Sequence, residues 1–372
     1  VTQESVFVQL HDITQRGYEI KIGSKNLADV ADFILPLKPI SRAVILTDDN
    51  VRRIGYADAV ADAVELVGVS CRVEVIAAGE ASKCIETAAQ IWSAVLAAGM
   101  DRKGILIAVG GGVVGDLGGF IAMTFARGIK FLQVPTTLLA QVDSSVGGKV
   151  GIDLPEAKNM VGGFYQPCGV LIDTDVLRTL SEADFICGLG ETAKYAVSLD
   201  ENLFMLLKEN AQRIRLRDAE ILRVIVAKCC EIKAKIVGED EFELSGKRAF
   251  LNYGHTFAHA FEILSNFKIK HGQAVAIGSI YAAKLAQKLQ LVKNNFPEQQ
   301  INFHNILGLP VELPEEFLTN LDWQRVIEIM RHDKKSEFGK LKFVLPTGIG
   351  QCKIVDGVDA ELITSTFKQT PN

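Results

Sequence analysis

The sequence has no surplus of positive charge: 40 lysines and arginines face 45 aspartates and glutamates, for a formal net charge of −5. A chain balanced in this way carries no overall field for nucleic acid or an anionic membrane, so any anion has to be bound by a local arrangement of groups. Between Val1 and Leu10 there is no basic stretch leading into a long apolar run, which argues against a secretory leader. The cysteines number seven and are scattered without a C-x-x-C spacing, so neither a disulfide framework nor a thiolate zinc site is expected. A reducing, cytoplasmic setting fits that pattern. The one apolar stretch long enough to span a bilayer, Gly104 to Phe125, contains seven glycines and Asp116. A membrane helix built from it would be soft and would bury a lone carboxylate, whereas a strand, a tight turn and a helix start account for the same residues. Internal repeats and low-complexity segments are absent as well.

What is present is an ordinary globular composition, 48% hydrophobic and 23% charged over 372 residues, enough for two or three domains. The first half alternates short apolar runs with helical spacing. Strands are expected at 42–47, 70–76, 104–109 and 130–134, and helices at 57–67 and 83–98. That is the rhythm of a parallel sheet buried on both faces. From Ser181 the texture changes: Ser181 with Asp184 reads as a helix start, and 219–237 and 274–289 have long 3.6-residue periodicity. The expected fold is an α/β Rossmann-like domain over 1–180 followed by a mostly α-helical domain over 181–372.

Three groups of residues suggest chemistry. Gly110 to Gly115 follow an apolar strand and satisfy G-x-G-x-x-G, the pattern that lets backbone N–H groups approach a pyrophosphate; a bare strand-to-helix turn would read the same way. The acid usually found about twenty residues downstream is missing, since no aspartate or glutamate stands between Asp116 and Asp143. Asp48 and Asn50 follow one strand, and Glu80 and Lys83 another, at the edge where open sheets bind ligands. The stretch from Thr136 and Thr137 through Asp143, Lys149, Lys158 and Asn159 concentrates hydroxyls, glycines and lysines; it reads as an anion-binding loop or as a solvated one. His255 and His259 stand four apart on one predicted helix face, and His271 follows twelve residues later beside Gly272. Imidazoles so clustered suit zinc, although capping and core histidines would look alike. Glu191, with Lys194 a turn later, is the best third ligand, yet the same pair on a helix is commonly an exposed one.

Taken in order, GGGVVGDLGGF, RGIKFLQVPTTLLAQVDSSVGGK, KNMVGGFYQP, LNYGHTFAHAFE, KHGQAVAIG and HDKK resemble the 3-dehydroquinate synthase family of the shikimate pathway, from Asp48 to Lys335. The resemblance implies a dehydroquinate synthase-like fold with the active site in the cleft between an NAD-binding domain and a helical metal- and substrate-binding domain, and a homodimer. Its zinc, with cobalt as an alternative ion, would be held by Glu191, His255 and His271; pairing His255 with His259 is the rival assignment. NAD would meet Asp48, Asn50, Glu80, Lys83, the turn containing Gly111, Gly112, Val113, Gly115 and Asp116, and Thr136 and Thr137. The substrate pocket would take Asp143, Lys149, Lys158 and Asn159 from the first half. From the second it would take Lys194, Lys233, Arg248, Asn252, His259 and Lys334 or Lys335. Arg127 would reach the partner subunit's site. Arg248 is the residue expected to grip the substrate carboxylate, against the plainer possibilities of a helix cap or a surface contact with Glu243.

The family's substrate is a small sugar acid phosphate, 3-deoxy-D-arabino-heptulosonate 7-phosphate. The implied reaction is oxidation at C5 by bound NAD, β-elimination of phosphate, re-reduction, ring opening and intramolecular aldol closure to 3-dehydroquinate. Another sugar phosphate cyclase, or a metal- and NAD-dependent polyol dehydrogenase, would share much of this pattern. Asp48 and Glu80, near the expected nucleoside end, favour NAD over its phosphorylated form. Two stretches depart from the family: Gly190-Glu191-Thr192-Ala193-Lys194 stands where A-E-V-I-K is usual, and Asp153-Leu154-Pro155-Glu156-Ala157-Lys158-Asn159 where N-H-P-x-G-K-N is usual.

Overall fold

The computed structural model describes residues 17–318, 322–332 and 341–367. Six strands, β1 (Glu19–Gly23), β2 (Ala43–Asp48), β3 (Cys71–Ile76), β4 (Ile105–Gly110), β5 (Lys130–Pro135) and β8 (Gly169–Asp173), form one parallel sheet in the order β1-β8-β5-β4-β2-β3. All residues of β4 and β8 are buried, as continuous apolar runs in a sheet covered on both faces require. The chain runs outward from β2 to β3 and then returns to place β4 on the other side of β2. The sheet's direction of growth therefore reverses between β2 and β4, and a crevice opens there at the strands' carboxyl ends.

The helices α1 (Asp49–Ile54), α2 (Tyr56–Leu66), α3 (Ile85–Ala97) and α4 (Gly112–Thr124) connect these strands. Helix α4 presses closely on the sheet because Gly118 faces it; a Cβ there would come within 3.1 Å of the Ala108 side chain. The segment expected to be one loop between Thr136 and Asn159 is not a loop throughout. After a helical turn at Ala140–Ser144, β6 (Lys149–Leu154) and β7 (Ala157–Phe164) form an antiparallel hairpin. Its β-branched and small residues pair across the strands, a tendency hidden by the glycines and lysines between them.

From Glu182 the chain is mainly helical. Helix α5 (Glu182–Ser198) starts where Ser181 accepts the Asp184 backbone N–H at 3.1 Å, and it is buried almost throughout. Against it pack α6 (Ala219–Glu239) and α8 (His271–Lys288), and on α8 in turn pack α7 (His255–Leu264) and α9 (Phe296–Leu307). This half also contains a hairpin that periodicity did not reveal, β9 (Lys342–Gly348) with β10 (Gln351–Asp356). Among the described residues no helix is long and apolar enough to cross a membrane.

Candidate active site

Glu191 of α5, His255 at the first position of α7 and His271 at the first position of α8 converge, with one ligand atom from each within 4.8 Å of the others. Nε2 of His255 and of His271 lie 3.5 and 3.3 Å from the same Glu191 oxygen. Glu191 is 1% exposed, and among the described residues neither of its oxygens has a partner of good hydrogen-bond geometry. A carboxylate so far from water requires compensating positive charge. Lys194 supplies part of it, its ammonium lying against Glu191 Oε2 with both side chains buried, so the pair is a core feature and not the exposed one that i,i+3 spacing commonly means. Two imidazoles and a carboxylate are a donor set suited to zinc or cobalt.

The histidine pairing follows from helix packing. His259 lies one turn along α7 from His255, with ring centroids 5.6 Å apart, but the converging nitrogens are those of His255 and His271. Each ring has an acceptor behind it: His255 Nδ1 faces the Tyr253 carbonyl at 3.2 Å, and His271 Nδ1 the Glu262 carboxylate at 3.2 Å. Burial disfavours charge on His271, yet the Glu191 and Glu262 carboxylates beside it outweigh that and, with no ion bound, push its pKa up to about 10. Tyr253 is anchored by donating to the Ser279 carbonyl and the Gln300 side chain at 2.9 and 2.8 Å. Gly254, in the left-handed region at φ 80°, then turns the chain into α7.

Beside this trio lies a second charge cluster. Lys233 of α6 donates to the Asp143 carboxylate and carbonyl, both at 2.7 Å, and the Tyr195 hydroxyl donates to the same carboxylate. Burial would raise the Asp143 pKa, but Lys233 and Lys194 hold it well below the usual carboxylate range. Arg248 is 2% exposed; its Nη1 donates to the carbonyls of Gly147 and Glu241, while Nε has no hydrogen-bond partner among the described residues. Glu243 approaches that Nε only to 3.8 Å and also pairs with the exposed Lys149. Arg248 is thus a buried cation, neither a helix cap nor a surface contact. Asn252, half-buried, ends the short helical turn that carries Arg248.

At the sheet edge, Asp48 accepts from the Asn50 and Val51 backbone N–H groups, both at 2.9 Å, and so caps α1. Lys83 is buried between Asp116, at 2.6 Å, the Asn159 side chain and, at 3.7 Å, Glu80. Lys158 lies 3.8 Å from Glu80 and over the Phe267 ring. The glycine turn leads from β4 into α4 with no side chain among the described residues capping that helix, which leaves its first N–H groups to an anion. Gly111, Gly112 and Gly115 are also closely packed: added Cβ atoms would come within 3.0 Å of Thr137, 3.2 Å of Ser144 and 2.8 Å of Gln133, so those side chains would have to shift. Thr136 bonds back to the Gly110 carbonyl at 2.9 Å, and Thr137 accepts the Ala140 N–H at 3.1 Å. Val113 sits in the first turn of α4. Arg127 is exposed at a left-handed turn after α4, and Lys334 and Lys335 lie outside the described residues.

Comparison with known proteins decides the family. Models of the 3-dehydroquinate synthase N-terminal and C-terminal regions match residues 73–187 and 188–336. A 3-dehydroquinate synthase of Rhodopirellula baltica is 45% identical, over 98% of this chain and 96% of that protein. The chain belongs to the 3-dehydroquinate synthase family. Among solved structures, a 2-epi-5-epi-valiolone synthase from Streptomyces hygroscopicus with NAD+ and Zn2+ bound is similar at TM-score 0.85 and 25% identity, covering 96% of this chain and 98% of that one. A 2-deoxy-scyllo-inosose synthase complexed with carbaglucose-6-phosphate, NAD+ and Co2+ is similar at TM-score 0.84 and 25% identity, covering 94% and 95%.

The two departures from the family pattern now have a structural meaning. A Cβ on Gly190 would lie 2.1 Å from the Gly272 carbonyl oxygen, so the alanine usual in the family would require α5 and α8 to stand further apart. The second departure forms the hairpin tip, where Asp153 accepts the Asn159 N–H at 2.7 Å. Sequence reasoning passed over Glu262 and Tyr195. The i, i+4, i+7 row His255, His259, Glu262 on one helix face was the available signal for the first; nothing local marked the second.

Proposed function

We propose that this chain converts 3-deoxy-D-arabino-heptulosonate 7-phosphate to 3-dehydroquinate and phosphate as a carbon–oxygen lyase. The observation that carries the reading is the buried Glu191, His255 and His271 trio, with Lys194 and the Asp143–Lys233 pair beside it, in a chain 45% identical to a 3-dehydroquinate synthase. The trio would hold Zn2+ or Co2+, and the glycine turn with the polar groups after β2 and β3 would hold NAD. When bound, the metal supplies Lewis-acid charge at the substrate's hydroxyl oxygens, and NAD a transient acceptor for hydride.

The remaining chemistry belongs to the chain. The uncapped first turn of α4 receives the pyrophosphate, and Asp48 and Glu80 place negative charge where a 2′-phosphate would be repelled. Lys194 and Lys233, both buried, hold anionic oxygens in a site that excludes water, where charge-assisted hydrogen bonds are strongest. Arg248 offers its unpartnered Nε–H to the substrate carboxylate. Lys149, Lys158 and Asn159 come from the β6–β7 hairpin, which folds over Lys83, and Asn252, His259 and Lys334 or Lys335 complete the pocket. Asp143 orients Lys233 through two hydrogen bonds. The working assembly is a homodimer in the cytoplasm, with Arg127 reaching the partner subunit's site.

The test is to supply the metal-loaded protein with the keto-acid phosphate and a catalytic amount of NAD, and to follow phosphate and NADH together. An oxidation and a reduction on one bound molecule cancel, so phosphate release continues through many turnovers while NADH stays flat. One NADH per product would make the chain a dehydrogenase. Equal turnover of sedoheptulose 7-phosphate would make it a different cyclase.

A further inference from the structure

Glu262 is a buried carboxylate on the metal-facing side of α7, 8% exposed, and the reaction described above gives it no task. Its Oε2 lies 3.2 Å from His271 Nδ1, while Nε2 on the other side of the same ring points to Glu191 at 3.3 Å. A neutral imidazole carries one proton, and a hydrogen bond donated from one nitrogen leaves the lone pair on the other. With a carboxylate behind Nδ1, a metal-bound His271 would keep its proton there and offer the Nε2 lone pair to the ion. His255 is oriented in the same sense, but by the neutral carbonyl of Tyr253 at 3.2 Å. The two imidazoles are therefore held unequally, one by a dipole and the other by a full negative charge.

The surroundings of Glu262 speak against a mere surface ion pair. The positive or potentially positive groups facing it are His271, His259 one turn earlier on α7, and Lys158 from the hairpin. An ionised carboxylate removed from water is sustained by such neighbours, and its charge passes to the metal through the ring it holds.

We propose that Glu262 is a positioning residue of the metal centre: through the Nδ1–H of His271 it sets that ring's tautomer and orientation and strengthens Nε2 as a donor, so metal retention depends on a side chain that does not touch the metal. This rests on the metal-binding reading above, and its test is a binding measurement without substrate or NAD.

Glu262→Gln keeps a hydrogen-bond acceptor of nearly the same shape and removes the charge; Glu262→Ala removes both. Metal-stripped unmodified protein, each variant, His271→Ala and the double variant His271→Ala/Glu262→Gln are titrated with Zn2+ and Co2+ against a chromophoric chelator. The dissociation constant is expected to weaken about tenfold in Glu262→Gln and closer to a hundredfold in Glu262→Ala, the span found when partners of metal-bound histidines are removed. Adding Glu262→Gln to His271→Ala should bring no further loss of metal affinity. If Glu262→Ala does not fold, the Gln series decides alone. Unaltered metal affinity in Glu262→Gln, or an equal loss with and without His271, overturns the inference. Unmodified protein that takes up neither ion overturns the metal reading and this inference together.

Discussion

Gly272 donates its backbone N–H to the Cys187 sulfur at 3.2 Å, and a Cβ on Gly272 would lie 1.8 Å from the Cys187 carbonyl oxygen. Helices α5 and α8 therefore meet backbone to backbone at this point, one residue from His271 and four from Glu191. Any side chain here separates the two helices that carry the proposed metal ligands. Gly272→Ala is expected to lower stability by about 1–3 kcal/mol, the usual penalty for overpacking, and to weaken zinc binding as well. Urea unfolding and a zinc titration check this. Unchanged values in both would mean that the helices shift freely.

The metal assignment separates two histidines on neighbouring helices. A strong chelator should abolish activity, and Zn2+ or Co2+ should restore it. His271→Ala should lose metal, weakening affinity by tenfold or more, whereas His259→Ala should keep the ion and lose turnover. Metal content by atomic absorption after gel filtration checks the pair. Full occupancy in His271→Ala with loss in His259→Ala would move the site to the i,i+4 pair.

Arg248 has one N–H direction unpartnered among the described residues while its other end is tied to Gly147 and Glu241. Charge-assisted hydrogen bonds to a carboxylate are worth about 1.5–3 kcal/mol each, so Arg248→Ala should lose roughly tenfold to a few hundredfold in kcat/KM with the keto-acid phosphate. Arg248→Lys, which keeps charge without the planar fork, should fall between. Steady-state kinetics with the keto acid and with sedoheptulose 7-phosphate check both the loss and the narrowing of selectivity. Undiminished keto-acid activity in Arg248→Ala would remove this residue from the carboxylate grip.

His304 on α9 is 1% exposed, and its Nδ1 has no hydrogen-bond partner among the described residues. Burial holds the imidazole neutral and pushes its pKa down to about 3. The unfolded chain binds this proton near pH 6.5 and the folded protein does not, so the stability tied to neutral His304 is complete above that pH. It is lost as pH falls toward the folded value, by up to about 1.4 kcal/mol per pH unit. His304→Leu, of similar size and without the proton, should flatten the acid limb. Urea midpoints of both proteins between pH 7 and pH 4.5 give the difference, from which all shared titrations cancel. Parallel curves would show that His304 is protonated in the folded state.

Much of this molecule is written locally. The strands β2, β4 and β5 and the helices α2 and α6 lie within a residue or two of where apolar spacing puts them, because period-2 and period-3.6 burial act over neighbouring residues. The strand-to-helix turn at Gly110 to Gly115 is equally local. The family, too, is legible in the order and spacing of its motifs.

What no local rule could settle is convergence. β1 pairs with β8 across about 150 residues, and the β6–β7 hairpin was masked by its glycines and lysines. His255 has a helical neighbour at His259, yet its nitrogen converges with that of His271, since the crossing of α7 and α8 decides which nitrogens face each other. Glu191 and Lys194 have the spacing of an exposed pair and become a buried one only because α5 is enclosed by the helices around it. Residue types and their periodicity belong to the chain by itself; distances and burial belong to the packing of elements far apart in sequence, and the site's electrostatics follow from those.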